Sequence, residues 1–500
     1  MSPMTVLTGA TLVTLDTDGT VLDGGELWIE GDRIIHAGVA GEFVPPAGAA
    51  VTRIDARDHV IMPGFANCHT HSYAALLKGS VDAMPLDLFM VNAILGAGAR
   101  DERAVYLSAK ISALEMMLTG TTACLDHFSH RPRHTAGALD AVCQAYADAG
   151  VRAAVAPMFS DLPLRETLPL EAEDMPAELA AEIPGTKADP DPFFEMMEGA
   201  LGRWKGDPLV SVMLGVDSPQ RCTDALLNRA GLFCADNGIG NHSHLLEAKT
   251  QWAMADARDS RGFVKYLAEK GLAGPKSSFA HFIWFTDADL AAAAEAGVNA
   301  VHNPASNLIL GSGIQPLLRL VDAGVNVAFG SDGLNAGHMS MFEKTRLAAL
   351  LPRVVEADPD KWLRAATALR MATVNGAAVL GRKGEAGTLE AGMLADFVVL
   401  DGRTVALSPR GDLPTQILFN ETGASVRDVF VAGKQVLKGG APTGFDAGET
   451  LGEAHEVAAR LAHDNRAAIE RVEIFRPGLS AMARRIVSSD CGPCRIARLT

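Results

Sequence analysis

A chain of 500 residues, 48% hydrophobic and 21% charged, can bury a large core and carry one main domain with appendages. Its formal net charge of -16, from 60 acidic against 44 basic residues, and the lack of a Lys/Arg run able to follow a phosphate backbone exclude nucleic acid as an expected partner. No stretch reaches the roughly 18 consecutive apolar residues that cross a bilayer, and the first 16 residues read as an alternating strand rather than a secretion signal, so a cytoplasmic protein without membrane association is expected.

In chain order, residues 4–57 carry short strand patterns at 5–15, 26–30 and 33–37, separated by turns at Asp18-Gly19 and Gly31-Asp32. A related texture returns after residue 385, at 387–392, 395–400 and 426–436. Between the two, strand-like runs at 60–71, 121–127, 151–159, 209–217, 239–247, 277–285, 299–303 and 326–332 alternate with amphipathic helical runs at 102–118, 135–149, 224–237, 288–296 and 362–380. Eight such strands, with no GxGxxG after the first, predict an α/β chain built as a (β/α)8 TIM barrel. The N- and C-terminal segments together predict a small flanking β-sandwich domain. The boundaries read as 1–57 and 384–442 for the sandwich, 58–383 for the barrel, and 443–500 for a helical extension with a polar tail.

Residues 161–191, dense in Pro and acidic side chains, are too polar for a barrel element and predict a long excursion or lid. Residues 84–90 predict an apolar loop over the barrel mouth. Cys68, Cys124, Cys143, Cys222 and Cys234 are scattered, as reduced core cysteines are, and not spaced as a disulfide framework. Cys491 and Cys494 form a CxxC pair without the second pair or nearby His that a zinc site needs.

In a strand the side-chain period is two, so His69 and His71 share a face and can hold one ion together. Taken alone, an HxH pair reads more readily as two surface histidines beside a turn than as a metal site. His69 and His71, however, close the sequence Met62-Pro-Gly-Phe-Ala-Asn-Cys-His-Thr-His71. That sequence is followed in order by Gly120-Thr-Thr122, His242-Ser-His-Leu-Leu-Glu247, Ala280-His281, His302-Asn-Pro-Ala-Ser-Asn307, Gly311-Ser-Gly313 and Gly330-Ser-Asp-Gly333. The series resembles the amidohydrolase superfamily, in particular its cytosine deaminase, S-adenosylhomocysteine deaminase and chlorotriazine hydrolase branch, and extends to about residue 440.

The resemblance implies His69, His71, His244 and Asp332 as metal ligands, Glu247 as proton shuttle, and His281 as the group that orients the attacking water or polarises the attacked atom. Asp332 would also accept the water's proton. It implies one divalent ion per subunit, since no lysine stands at the end of strand four to bridge a second. Three imidazoles and a carboxylate suit zinc, with iron(II) as the alternative. His242, Asp217, His302, Phe89 and Arg221 are candidates for the substrate pocket, with Asp126 and His127 at another strand end. Lys78 is a second candidate beside Arg221 for holding an anionic or carbonyl group. Strand four ends at Asp217-Ser-Pro, whereas adenosyl-type deaminases carry a histidine just before the corresponding turn, which counts against a nucleoside substrate.

The implied activity is hydrolytic deamination of an amino-substituted pterin, purine, pyrimidine or triazine by metal-activated water. The alternatives are C–N cleavage of an amide, urea or carbamate, and hydrolytic dehalogenation of a triazine-like ring. A catalytically inert binding subunit is a more remote reading, because none of the implied ligands is missing. Members of the branch are commonly dimers or larger, so the expected partners are a small-molecule substrate and further copies of the chain.

Overall fold

In the computed structural model, residues 3–489 are described apart from 97, 99, 132, 184 and 186. Cys491 and Cys494 therefore lie outside the described residues. The run read as one strand over 60–71 is two: His59–Pro63 pairs with Met4–Val13 and Phe397–Asp401, whereas Phe65–His71 pairs with Thr121–Asp126. Gly64 makes the handover, because a Cβ there would sit 2.2 Å from the Thr122 side chain. Only glycine lets the backbone pass the neighbouring strand so closely.

The fold is mixed α/β. Nine strands from the two ends of the chain form a single sheet, in which His59–Pro63 joins Met4–Val13 to Phe397–Asp401. This sheet shows the alternation of a strand covered on both faces. Ile61, Phe397, Val399 and Phe430 enter an apolar cluster with Leu7, Leu27 and Ile29, while Val60, Met62, Val398, Leu400, Val429 and Val431 pack into the main core. Where a sandwich is expected, the hydrogen-bond ladder is one continuous sheet. It includes a strand, Val51–Asp55, that the Pro- and Ala-rich preceding sequence conceals.

The strands between form two parallel sheets. One runs Val210–Val212, Arg152–Val155, Thr121–Asp126, Phe65–His71, Asp332–Gly333. The other runs Asn326–Phe329, Asn299–His302, Ser277–His281, Asn241–Leu245, Leu214–Val216, Met158–Phe159. The third, fourth and eighth runs read from sequence are each interrupted and give one piece to either sheet; Pro157, which has no N–H for a ladder, lies in the first of these breaks.

Helix ends follow local chemistry. Asp101, Thr135, Thr223 and Thr286 accept backbone N–H bonds at the N-termini of Glu102–Leu118, Ala136–Ala149, Asp224–Asn237 and Asp287–Ala296. Gly150, Gly238 and Gly297 end the last three in left-handed geometry.

Residues 84–90, expected as a loop, instead open into the helix Leu86–Gly96. It shows no helical period because apolar residues cover it on several sides. Leu88 and Val91 pack with Leu164, Leu168 and Met175, and Leu86 packs with Ala248 and Leu310. The same cluster takes Val472, Leu479 and Met482 from the C-terminal helices Arg466–Val472 and Arg476–Ser488, and Phe475 from the turn between them. Arg485 is bound to Glu171, Asp174 and the Pro169 carbonyl, and Arg471 to Glu182. The C-terminal extension thus straps down both the 161–191 excursion and the Leu86–Gly96 helix. Among the described residues, no helix is long and apolar enough to cross a membrane, and Cys68, Cys124, Cys143, Cys222 and Cys234 are free and buried.

Candidate metal centre and active site

The C-terminal ends of the parallel strands converge on a group of buried imidazoles and carboxylates. His71 Nδ1–H donates to the His127 carbonyl at 2.6 Å, and His244 Nδ1–H donates to the Asp217 carbonyl at 2.7 Å. A carbonyl only accepts, so each Nδ1 holds a proton and each Nε2 is turned inward as the atom available to a cation. Those two Nε2 atoms lie 3.1 Å apart. Asp332 Oδ1 lies 3.1 Å from His71 Nε2 and 3.6 Å from His69 Nε2, and the latter nitrogen is buried with no hydrogen-bond partner. Ring nitrogens facing one another beside a carboxylate are what a cation site requires. The donor atoms of His69, His71 and His244 lie within 4.8 Å of one another, as do those of His69, His281 and Asp332.

Asp332 stands at φ 64, a left-handed conformation that costs a non-glycine residue energy and is held here by its surroundings. Ser306 Oγ donates to its Oδ2 at 2.5 Å and the Gly333 N–H to its Oδ1 at 2.8 Å. Burial would raise its carboxyl pKa, but the hydrogen bonding and charge of His69 and His71 hold it well below the ordinary carboxylate range. His281, also at positive φ, binds the Asn307 side chain through Nδ1 at 2.8 Å and turns a buried, unpartnered Nε2 toward the site. Burial lowers its pKa. That Nε2 lies 3.6 Å from Glu247 Oε2 and 3.9 Å from Asp332 Oδ2. Burial, and next the negative charge of Asp332, push the Glu247 carboxyl up to about 8.

A cavity opens onto His71, His244, Glu247, His281 and Asp332. Phe89, Asp217 and Arg221 line it. Arg221 Nη1 pairs with Asp217 Oδ2 at 2.8 Å, and burial of Asp217 is outweighed by the Arg221 charge, which keeps its carboxyl well below the ordinary range.

His242 and His302 are not among the residues lining this cavity. His242 lies behind His69, with Nε2 2.8 Å from His69 Nδ1 and Nδ1 2.6 Å from Ser278 Oγ. His302 is fully buried, because the helix Pro304–Ile309 begins two residues later and sends Ser306 and Asn307 into the site instead. Lys78 points away and pairs with Glu115 at 2.7 Å. Asp126 is buried, accepting from the Ser72 N–H and the Tyr146 hydroxyl, and the ring of His127 stacks among those of His69, His71, His242 and His244. Sequence reasoning missed Tyr73, Arg100 and Arg131, which also line the cavity. Arg100 and Arg131 follow irregular segments that carry no periodic signal.

The chain is similar to known proteins. The chain is 34% identical over 436 residues to a 5-methylthioadenosine/S-adenosylhomocysteine deaminase of Moorella thermoacetica, covering 86% of this chain and 94% of the relative. It is 30% identical over 458 residues to a 5'-deoxyadenosine deaminase of Methanosarcina mazei, covering 91% and 98%. Among solved structures, an adenosine deaminase from Xanthomonas campestris with bound zinc superposes with a TM-score of 0.80 at 26% identity, over 92% of this chain and 98% of that one. Atrazine chlorohydrolase from Arthrobacter aurescens, complexed with zinc, superposes with a TM-score of 0.77 at 23% identity, over 91% and 100%, a likeness of fold. A match to the amidohydrolase family runs through residues 60–436, taking in every strand end that supplies the site, and the chain belongs to that family.

Proposed function

We propose that the protein is a metal-dependent deaminase that replaces the amino group of a nitrogen heterocycle, most closely an aminopurine, by oxygen. The observation that carries this reading is the pair of inward Nε2 atoms on His71 and His244, locked by their carbonyl bonds beside Asp332. His69, His71, His244 and Asp332 would hold one ion, and zinc fits three imidazoles and a carboxylate. The zinc-bound adenosine deaminase of the same fold supports that choice.

A divalent ion with an open position would supply a water whose pKa is lowered to about 7. The chain's own groups supply the rest. Asp332 Oδ2, beside His281 Nε2, accepts a proton from the attacking water, and His281 orients that water toward the ring carbon. Glu247, raised to about 8, stands largely as the acid at neutral pH and donates to the ring nitrogen next to the attacked carbon. Asp332 then passes the water's proton to the departing amine, and the Glu247 carboxylate takes the hydroxyl proton of the tetrahedral species as the carbonyl forms, which restores both groups. The cavity walls hold the ring and exclude bulk water.

The named activities of the relatives favour an aminopurine over a pterin or triazine, and they stand against the weight given to Asp217 at the end of strand four. We further propose that the two parallel sheets are halves of one closed (β/α)8 barrel. Its third, fourth and eighth strands each bend from one half into the other. Residues 58–383 would form this unit, with 1–57 and 384–442 flanking it and 443–500 as an extension.

The test is a panel of aminopurines, aminotriazines, amides and ureas offered to protein reconstituted with zinc. Release of ammonia, with the ring otherwise intact by mass, is expected. Two organic fragments would replace deamination with amide or urea cleavage. Metal analysis returning a small fraction of an equivalent would remove the metal mechanism altogether.

A further inference from the structure

The motif Gly311-Ser-Gly313 supplies no metal ligand, and none of its residues is among those lining the cavity. It follows the helix Pro304–Ile309. Gly311 and Gly313 stand at φ 64 and φ 131, where an L side chain is strained, and a Cβ on Gly313 would lie 3.1 Å from the Ile283 side chain. The two glycines let the chain fold back on either side of Ser312. Ser312 N–H donates to the Asn307 carbonyl at 2.8 Å, and the Ser312 carbonyl accepts from Trp284 Nε1–H at 2.8 Å. That fixed backbone aims the hydroxyl at the catalytic carboxyl. Ser312, 4% exposed, donates through Oγ to Glu247 Oε1 at 3.1 Å.

The two oxygens of Glu247 are thereby made different. Oε1 receives the serine proton, so the acid's own proton belongs on Oε2. Oε2 lies 3.6 Å from His281 Nε2. Asn307 Oδ1 accepts from His281 Nδ1–H, and burial favours the neutral ring, so the His281 lone pair stands on Nε2. A hydroxyl facing that lone pair is compatible, whereas a second lone pair on Oε2 would repel it. Glu247 N–H is held as well, by Gln251 Oε1 at 2.8 Å. The segment 306–315 thus touches all three acid–base groups: Ser306 binds Asp332, Asn307 and Gln315 bind His281, and Ser312 binds Glu247.

We propose that Ser312 is a positioning residue for the proton transfers of Glu247. It keeps the transferable proton on Oε2, the oxygen turned toward His281, and stabilises the carboxylate formed when that proton leaves. The proposal rests on the deaminase reading for the proton's destination. On donation the Oε2–H bond breaks and an N–H bond forms at the ring nitrogen. The negative charge left on Glu247 is shared with Oε1, where the Ser312 bond strengthens because its acceptor is now charged. When the tetrahedral species collapses, its hydroxyl proton returns to Oε2, since Oε1 stays occupied. An interaction that tightens as the proton moves acts on kcat and not on substrate binding.

The kinetic experiment compares Ser312→Ala, Glu247→Gln and the double variant, each reconstituted with zinc and assayed for metal content, on an aminopurine that the parent deaminates. Ser312→Ala should lower kcat roughly 10-fold, the difference between a neutral and a charge-assisted bond, and leave KM within about twofold. Glu247→Gln has no proton to place, so adding Ser312→Ala to it should change kcat by less than about twofold. A serine that only shapes the loop would cost the same in both backgrounds, and that result would overturn the proposal. So would an unchanged kcat in Ser312→Ala beside a large loss in Glu247→Gln, with the deaminase reading left standing.

Infrared difference spectra at pH 6, each protein against its Glu247→Gln counterpart, read the same bond without turnover. The C=O stretch of protonated Glu247 should lie at higher wavenumber in Ser312→Ala, as it does for any carbonyl freed of a donor. If no aminopurine is turned over, the deaminase reading fails and this band still decides for Ser312. Identical bands in the two proteins, or no band of the acid form, refute the placement of the proton.

Discussion

Glu247→Gln separates proton transfer from metal binding. The carboxyl is 3% exposed, accepts from Ser312 Oγ at 3.1 Å through Oε1, and holds Oε2 3.6 Å from His281 Nε2. Glutamine has the same shape and can accept the Ser312 bond, so folding and metal content should be unchanged. What it loses is the exchangeable proton. General acid–base catalysis contributes about 10²- to 10⁴-fold, so kcat should fall by that factor, equivalent to ~3–5 kcal/mol of barrier. With a pKa of about 8 the acid form outnumbers the carboxylate by roughly ten to one at pH 7. Activity should therefore decline as pH rises through the Glu247 value. A cation held by the neighbouring imidazoles draws that value downward, so the alkaline limb should lie at or below pH 8 and vanish in the variant. Steady-state kinetics from pH 5.5 to 9.5, with zinc measured on the same samples, is the assay. A fully metallated variant retaining kcat within threefold of the parent at pH 7 would refute the role.

His242→Phe removes the acceptor that fixes the His69 ring, leaving a buried Nδ1–H unpaired. Zinc affinity, measured by chelator competition, should weaken by about 10- to 100-fold, and an unchanged Kd would deny His242 its orienting part. His302 is held neutral by burial, its pKa pushed down to about 3. An unfolded chain takes up a proton below about pH 6.5 that the folded one refuses, so the stability cost is absent above 6.5 and grows as pH falls toward 3. Urea melts should lose ~1.4 kcal/mol per pH unit from this group below about pH 6, a slope missing from His302→Asn. The His134 ring, pushed to about 4 by burial but partly exposed, adds a smaller term of the same sign. Phe475→Ala removes a ring that is 1% exposed at the centre of the strap. It should cost ~3–5 kcal/mol locally, seen as faster amide exchange in 86–96 and 164–183 before any change in the parallel strands, and an even loss of protection would contradict the strap.

What could be read from sequence depended on whether a position answers to a local rule. Helix caps at Thr135, Thr223 and Thr286, the turn glycines after them, and the shared face of His69 and His71 obey short-range geometry. Their residues announce them. Leu86–Gly96 was hidden because a helix covered on several sides has no polar stripe to set its period. The division at Gly64 depends on the approach of Thr122, which no local pattern encodes. His302 was misplaced for a similar reason, since a strand-end residue faces the site only if the next element leaves it room. Tyr73, Arg100 and Arg131 were out of reach altogether, because only the fold brings them to the cavity.

The position of His59–Pro63, flanked by Met4–Val13 on one side and Phe397–Asp401 on the other, bears on how the chain is made. During synthesis from the N-terminus this strand has one neighbour early, while the other emerges only after all the parallel strands have left the ribosome. Until then it presents an unsatisfied hydrogen-bonding edge, a template for pairing with another chain. The ligand-bearing strand begins two residues further on, so the growing chain spends most of its synthesis with an open edge next to its future metal centre. Slower translation at low temperature, or a chaperone that shields strand edges, should raise the soluble yield more than added zinc does.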